Sequence, residues 1–343
     1  MIIAVDAMGG EYAPHEIVKG VLKAAQEYHI GIALVGKKEI LHILTARHKR
    51  AFDITVVDAP DVIADEESPI EAVTKKPNSS IAVGVRLVNE GKAQAFVSAG
   101  STGAVFFCAF MILGRVEGIE RPAIGTIINI NVTSPFLLID CGANPNCRPK
   151  HLLQFAQMGS IYAREIFGIK EPRVALLNNG EEEKKGNQLT KDTYPVLKAS
   201  GLNFTGNIEG QFLSQGKADV VVSDGFTGNI VLKTLEGMGD TFLKLRNMAQ
   251  VLTRASHGES RAELLDAGMV SLLKRVDYRE AGGACLLGLN GTVIISHGRS
   301  QAKAVKNAIG MAKRSIDRQV TQMIQQADFS EPAVLAGTGE ESK

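Results

Sequence analysis

Short apolar runs recur along the chain, each followed by a small polar loop and then a stretch of helical period. Met1–Val5 leads into Asp6-Ala7-Met8-Gly9-Gly10 and a helix expected from about Pro14 to Tyr28. Ile32–Val35 and Asp53–Val57 read as the second and third strands. Ser68-Pro69-Ile70-Glu71 has the spacing of a capping box with proline at the first helical position, so a helix is expected to start there. Asn78-Ser79-Ser80 opens a helix that runs to Asn89, and Ala95–Ser98 is a strand ahead of Ala99-Gly100-Ser101-Thr102-Gly103 and an apolar helix. The phrase repeats in the second half. Phe136–Ile139 precedes Asp140-Cys141-Gly142-Ala143-Asn144, and a helix from His151 to Phe167 stops at Gly168. Arg173–Leu177, Asp219–Val222 and Thr292–Ile295 are further strands, each with a polar loop behind it, and a closing helix reaches about Gln325.

Strands that are apolar throughout and alternate with helices predict a doubly wound, mostly parallel sheet in a three-layer α/β/α sandwich. In such a sheet the loops after the strands emerge on one edge, where ligands bind. One catalytic domain is expected over 1–327. Val251–Val276 shows no strand pattern and mixes apolar with basic residues, so a projecting helical arm is expected over about 235–280. Residues 328–343 read as a flexible tail, rich in Gly, Thr, Glu, Ser and Lys.

Composition narrows the function classes. Lys plus Arg number 38 against 37 Asp plus Glu, so no global charge draws the chain to nucleic acid or a membrane. Trp is absent, which disfavours a base-stacking platform. Cys108, Cys141, Cys147 and Cys285 form no C-x-x-C pair and read as buried free thiols of a reducing, cytoplasmic compartment. Met1–Val5 enters a strand directly, so no signal peptide is expected. The most apolar window, Ala104–Leu113, is too short to span a bilayer and reads as a buried helix. No acid or histidine cluster has metal-ligand spacing, and neither a Walker A loop nor a G-x-G-x-x-G fingerprint is present, so no cofactor and no metal is expected.

The chemistry therefore falls to the loops. Ser98 to Gly103 combines small residues, hydroxyls and a helix N-terminus, which suits an anion; a plain capped turn is the alternative. Asp224-Gly225-Phe226-Thr227-Gly228-Asn229 has the same geometry with an acid and an amide added, against an Asx turn with a helix cap. Glu181-Glu182-Glu183-Lys184-Lys185-Gly186 is either a solvated charge run or, placed after a strand, a source of positive charge for a phosphate. His297 follows the last strand and reads as a donor or as a structural histidine.

Taken together and in order, several segments resemble the bacterial phosphate acyltransferases, the PlsX family of phospholipid synthesis. They are Val5-Asp6-Ala7-Met8-Gly9-Gly10 with Ala13-Pro14, Asn78-Ser79-Ser80, Ser98-Ala99-Gly100, Arg121-Pro122-Ala123, Gly142-Ala143-Asn144, Gly159-Ser160, Lys185-Gly186-Asn187, Asp224 to Asn229, Gly282-Gly283-Ala284, Leu287-Gly288-Leu289 and His297-Gly298. The resemblance implies a fold similar to the isocitrate/isopropylmalate dehydrogenases and phosphotransacetylases. It also implies transfer of a fatty acyl group from acyl carrier protein to inorganic phosphate, a homodimer, and peripheral contact with the inner membrane face or a membrane acyltransferase. Glu11, Ser101, Pro145-Asn146 and Ala281 depart from the family's usual residues, which bears on substrate preference and rate.

Phosphate is itself the nucleophile in that reaction, so no Ser-His-Asp triad is required, and none is evident. The expected catalytic residues are Lys185, Asn229, Asp224 and His297. The expected substrate-binding residues are Asp6, Gly9, Gly10, Ser98, Gly100, Ser101, Thr102, Gly103, Asn144, Lys184 and Thr227. A basic patch for the acidic carrier would come from Arg47, Lys49 and Arg50, or from the arm. Three readings compete with this one. A phosphotransacetylase would use coenzyme A instead, a decarboxylating dehydrogenase would need a nicotinamide site and metal-binding acids, and a non-catalytic acyl-binding scaffold would leave the polar loops without a role.

Overall fold

A computed structural model describes the protein over residues 1–48, 51–64, 66–130, 135–255 and 282–329, with the backbone alone for 242–255. Among the described residues eleven strands form one sheet in the order β3-β2-β1-β4-β11-β10-β5-β6-β9-β7-β8. The strands are β1 Ile2–Asp6, β2 Gly31–Gly36, β3 Ile54–Asp58, β4 Ala95–Ser98, β5 Ala123–Ile128, β6 Phe136–Ile139, β7 Val174–Asn178, β8 Phe204–Glu209, β9 Val220–Val222, β10 Ala284–Leu287 and β11 Thr292–Ile295. The helices are α1 His15–Tyr28, α2 Lys38–Thr45, α3 Pro69–Lys75, α4 Ser80–Asn89, α5 Thr102–Leu113, α6 Pro149–Phe167, α7 Gln188–Lys198, α8 Gly225–Ala255, α9 Ala302–Asp317 and α10 Val320–Gln325.

Both sheet faces are covered, which is why β2, β4 and β6 are buried along their whole length. One core packs α1, α6, α7, α9 and α10 against the sheet, and a second packs α3, α4, α5 and α8 on the opposite face. Local signals set several boundaries. Ser79 caps α4 by accepting the Ala82 N–H at 3.3 Å. Gly168 ends α6 in the left-handed region at φ 72°, where glycine has no steric penalty.

The sheet is two opposed halves, not one parallel run. β3, β2, β1, β4 and β11 run together, and β6, β9, β7 and β8 run together. Between them β10 and β5 contribute three antiparallel pairings, which reverses the second half. The halves are also offset. Ser98 at the end of β4 pairs with Ile295, Ile295 with Ala284, Ala284 with Thr126, and Thr126 with Leu138, one residue short of the end of β6. The carboxyl ends of β4, β11 and β6 therefore meet near one level, from opposite directions. The expected convergence of loops on one edge holds only in part: the loops after β4, β11 and β6 meet through this offset and not through a common strand direction, while the loop after β7 stands apart.

Four further expectations change. β5, β8 and β10 are strands that the apolar pattern does not single out. Ser68 makes no capping bond, and Glu71 pairs with Lys75 at 2.9 Å instead, so the box spacing there is not used as a box. The apolar helix α5 buries one face through Ala104, Val105, Cys108, Ala109 and Leu113, but Met111 is 61% exposed. Phe329, inside the expected tail, is only 6% exposed and packs in the first core. The start of the expected arm is the 31-residue α8, and 256–281 lie outside the described residues. No described helix is long and apolar enough to cross a membrane.

Candidate active site

Two buried carboxylates brace the loops, one in each half-sheet. Asp6, at the end of β1, accepts the N–H groups of Met8 and Gly9 at 2.9 and 3.1 Å and the Ser98 hydroxyl at 2.7 Å. The Ser98 oxygen in turn accepts the Gly100 N–H at 3.0 Å. Gly9 is required here, because a Cβ would strike the Asp6 carboxylate and the Gly100 N–H. The β1 loop also joins the last strand's loop, since the Glu11 N–H donates to the Gly298 carbonyl at 2.8 Å.

Asp140, at the end of β6, has the same role. It accepts the N–H groups of Ile124, Gly142, Ala143 and Asn144 and the side-chain amide of Asn144, all within 2.7–3.2 Å. Burial pushes both carboxyls above the ordinary carboxylate range, and the surrounding donors offset only part of that rise. Among the described residues the side-chain oxygens of Asp140 are met by N–H donors, which cannot accept a carboxyl proton, so the ionised form fits the site. Sequence reasoning quoted this loop but chose Asn144 as the working residue. The signal that identifies Asp140 is the repeated pattern of an aspartate at a strand end followed by a glycine loop.

The α8 loop closes onto Asp140. Gly228 can do so only without a side chain, since a Cβ would collide with the Asp140 carbonyl oxygen. Asp224 caps the helix by accepting the Thr227 N–H at 2.9 Å and its hydroxyl at 2.8 Å. Gly225 donates its N–H to the Asn144 carbonyl at 2.8 Å.

Above these loops lies a cavity of about 740 Å³. Thr102 and Gly103 reach it at the N-terminus of α5, where the first N–H groups of the helix have no intrahelical acceptor. Ser101 makes no side-chain cap bond there. Gly142 and Asn229 reach it from the opposing half, and Ser296 and His297 from the loop after β11. Asn229, Lys233 and Glu236 line it along one face of α8, spaced by about one and two helical turns. Lys233 pairs with Glu236 at 2.8 Å, and the His297 Nε2 lies 3.8 Å from the same carboxylate. The His297 Nδ1 accepts the Arg299 N–H at 3.1 Å, which leaves the ring proton on Nε2. Burial lowers the basicity of His297 more than Glu236 raises it, so the ring is neutral near pH 7.

The expected site residues thus divide. Thr102, Gly103, Asn229 and His297 line the cavity. Asp6, Gly9, Gly10, Ser98, Gly100, Asp224 and Thr227 form the frame beneath it, with the polar atoms of Ser98, Asp6 and Asp224 committed to loop bonds. Asn144 braces as well, its amide donating to the Pro122 carbonyl and to Asp140. Lys184 and Lys185 are exposed on the loop after β7 and do not line the cavity of this chain. Two cations that line the cavity, Lys233 and Arg314, are not singled out by the sequence reading, and Lys233 is the one beside Asn229 and His297. Its signal is the helical spacing from Asn229. Of the expected carrier patches, Lys49, Arg50, Arg261, Lys274 and Arg275 lie outside the described residues, as does the Arg254 side chain.

Burial disfavours the thiolate form at all four cysteines. Burial pushes Cys108, Cys147 and Cys285 up to about 12, and Cys141, which lines the cavity, higher still. The Ser296 and Ser300 hydroxyls pair at 2.7 Å, and Ser296 also donates to the Gly282 carbonyl. Among the described residues no group of acids, histidines and cysteines could hold a metal ion.

Comparison with known proteins agrees with this architecture. The model of the fatty acid synthesis protein family matches residues 1–323. A phosphate acyltransferase of Dehalococcoides mccartyi is 53% identical over 338 residues, covering 98% of this chain and 97% of the relative. Among solved structures, a phosphotransacetylase of Streptococcus pyogenes superposes with a TM-score of 0.60 at 19% identity, over 92% of this chain and 94% of that one. A 4-hydroxythreonine-4-phosphate dehydrogenase of Klebsiella pneumoniae does so with a TM-score of 0.52 at 14% identity, over 95% and 99%. These two likenesses establish the three-layer fold, and the sequence match establishes the family: the chain belongs to the fatty acid synthesis protein family and, within it, to the phosphate acyltransferases.

Proposed function

We propose that the protein moves an acyl group from the thioester of acyl carrier protein to inorganic phosphate, giving an acyl phosphate and the free carrier thiol. The observation that carries this reading is a cavity that holds anion-binding groups and no activated nucleophile. The α5 N-terminus and Lys233 offer positive potential to a phosphate, while the cavity thiol is held firmly protonated.

In the reaction a phosphate oxygen attacks the thioester carbon, the carbonyl oxygen becomes an oxyanion, and the carbon–sulfur bond then breaks. Monohydrogen phosphate gives up its proton, and the departing thiolate takes one, so no net proton is consumed. The protein's part is to position two reactants and to stabilise the oxyanion. Asn229, beside Gly142, supplies a donor for that oxygen. The neutral His297 with its Nε2–H, next to Glu236, is placed to pass a proton toward the sulfur. Asp6, Asp140 and Asp224 hold the loops without touching substrate.

Two further aspects belong to the same reading. Phe226, Ile230 and Met238 on α8 are 63%, 52% and 49% exposed, which supports a second copy covering this helix in a homodimer. Peripheral contact with the membrane would hand the labile acyl phosphate to a membrane acyltransferase. The test of the reaction is thiol release from purified acyl carrier protein thioester, with and without phosphate. Release that depends on phosphate is expected. Equal release without phosphate would make the protein a hydrolase, and faster turnover of the coenzyme A thioester would make it a phosphotransacetylase.

A further inference from the structure

The cavity, about 740 Å³, is much larger than a phosphate and a thioester carbonyl require, and its second half has a different character. β10 begins at Ala284, opposite Thr126, so β5 beyond Thr126 has no strand neighbour on that side. Ile127, Ile128 and Ile130 form a shelf there, and the cavity crosses it from the side of α5 and α8 to the end of α6, where Ile166 and Phe167 line it. Beyond these two the surroundings turn charged, with Arg314, Asp317 and Arg318 around an adjoining hollow.

From this we infer that the shelf and the α6 end form the seat of the acyl chain, with the carbonyl at Asn229 and His297 and the chain running over Ile127–Ile130 toward Ile166 and Phe167. The inference rests on the acyl-transfer reading and adds the residues that gauge the chain. The volume of about 740 Å³ lies within the roughly 300–1,000 Å³ of ligand pockets, and this end is lined mainly by the apolar side chains of Ile127, Ile128, Ile130, Ile166 and Phe167, with Asn129 beside them and Arg314 at its limit. Each methylene laid on such a wall strengthens binding about fourfold. The gain stops where Arg314 and Arg318 begin, because a longer chain would desolvate charge without covering more apolar surface. Ile166 and Phe167, at that boundary, set the longest chain that gains affinity.

The test measures binding of hexyl phosphate and decyl phosphate to the full-length protein by calorimetry, below their micellar concentrations. These probes carry a phosphate and a chain but need no turnover, so the outcome is separate from the thiol-release assay of the reaction. The wild type is expected to bind decyl phosphate at least about 30-fold more tightly than hexyl phosphate. Ile166→Trp is expected to cut that ratio to below about fivefold by filling the far end, with hexyl phosphate affinity changed less than about twofold. Phe167→Ala serves as the second probe should the tryptophan variant fold poorly; it lowers decyl phosphate affinity by removing wall and spares hexyl phosphate. A wild type that does not distinguish the two chains, or variants that weaken both probes equally, would overturn the assignment.

Discussion

At the scale of residues, the proposed role of Lys233 as a cation facing phosphate has a direct test. Lys233→Ala should raise the KM for phosphate tenfold or more, about 1.4 kcal/mol of ground-state binding, while the KM for the acyl thioester changes little. Steady-state kinetics varying each substrate checks this, and an unchanged phosphate KM would remove Lys233 from the site. His297 gives a pH prediction. Its basicity is lowered by burial, so the neutral ring persists on going down through the ordinary histidine value of 6.5. The acid limb of kcat/KM assigned to His297 should therefore lie below that pH. A limb above it that disappears in His297→Gln would contradict the neutral-donor role. Asp140 acts at one remove. Asp140→Asn replaces an acceptor of five N–H groups by a side chain that must turn a donor toward some of them, costing roughly 1–3 kcal/mol of stability. Thermal unfolding measures that cost.

Legibility at this scale depended on whether a residue's role was local. Asp224 and Thr227 could be read as a cap from three-residue spacing, and they form one. The Asn144 amide looked available to a ligand, but it spans to Pro122, 22 residues away, and no local pattern reveals that partner. Lys185 read as catalytic because it follows a strand, yet β7 lies two positions outside β6, and its loop stands away from the cavity lining. Lys233 follows Asn229 by one helical turn, so its place on the cavity face of α8 is legible only once the start of that helix is fixed.

At the scale of elements, the decisive contact is the start of α8 against the end of β6. Gly228→Ala would drive a methyl into the Asp140 carbonyl and displace the helix that carries Asn229 and Lys233. Activity should fall by more than tenfold even if the variant remains folded, and near-native turnover would show that α8 need not sit so close. β9 is pinned to β7 by another pair. The Asp219 carboxylate accepts two bonds from the Arg173 side chain, at 2.8 and 3.0 Å, and the Arg173 N–H. Burial alone would raise its pKa, but Arg173 holds it below the ordinary aspartate value of 3.8. A depressed carboxyl contributes stability that is present above its unfolded value and lost as the pH falls through the folded one. Asp219→Asn should thus cost roughly 1–2 kcal/mol near neutral pH, after allowance for the half-exposed arginine, and the difference from wild type should vanish in acid. Chemical unfolding at several pH values reads both.

The strands that sequence made visible are the ones buried on both faces, such as β2, β4, β6 and β11. β8 shows only partial burial and carries Thr205, Gly206 and Asn207 among its apolar residues, so its run is broken. β5 and β10 matter most for the architecture and were the least visible. β10 has only four residues and lies between glycines, the run of β5 is broken by Gly125 and Thr126, and what makes them strands is pairing with partners distant in sequence, Ala284–Leu287 with Ala123–Thr126.

At the scale of the whole molecule, those two strands decide where the chemistry is. They reverse one half-sheet and offset it, so that loop ends from opposite directions face each other across one cavity. A single parallel sheet would have placed the same loops in a row. The opposed arrangement brings two helix starts, α5 and α8, to one space, and it leaves the bare shelf of β5 beside them. Phosphate and acyl group can then meet at the centre with no covalent carrier on the protein. That is the central claim, and isotope exchange tests it most directly: unlabelled acyl thioester is incubated with labelled free carrier thiol and the enzyme, and label entering the thioester is followed. With phosphate present, reversible formation of acyl phosphate should carry label into the thioester. With phosphate rigorously removed, no exchange should occur and the protein's mass should show no acyl adduct. Exchange without phosphate, or an acylated protein, would mean that a side chain takes the acyl group first, and would contradict the account.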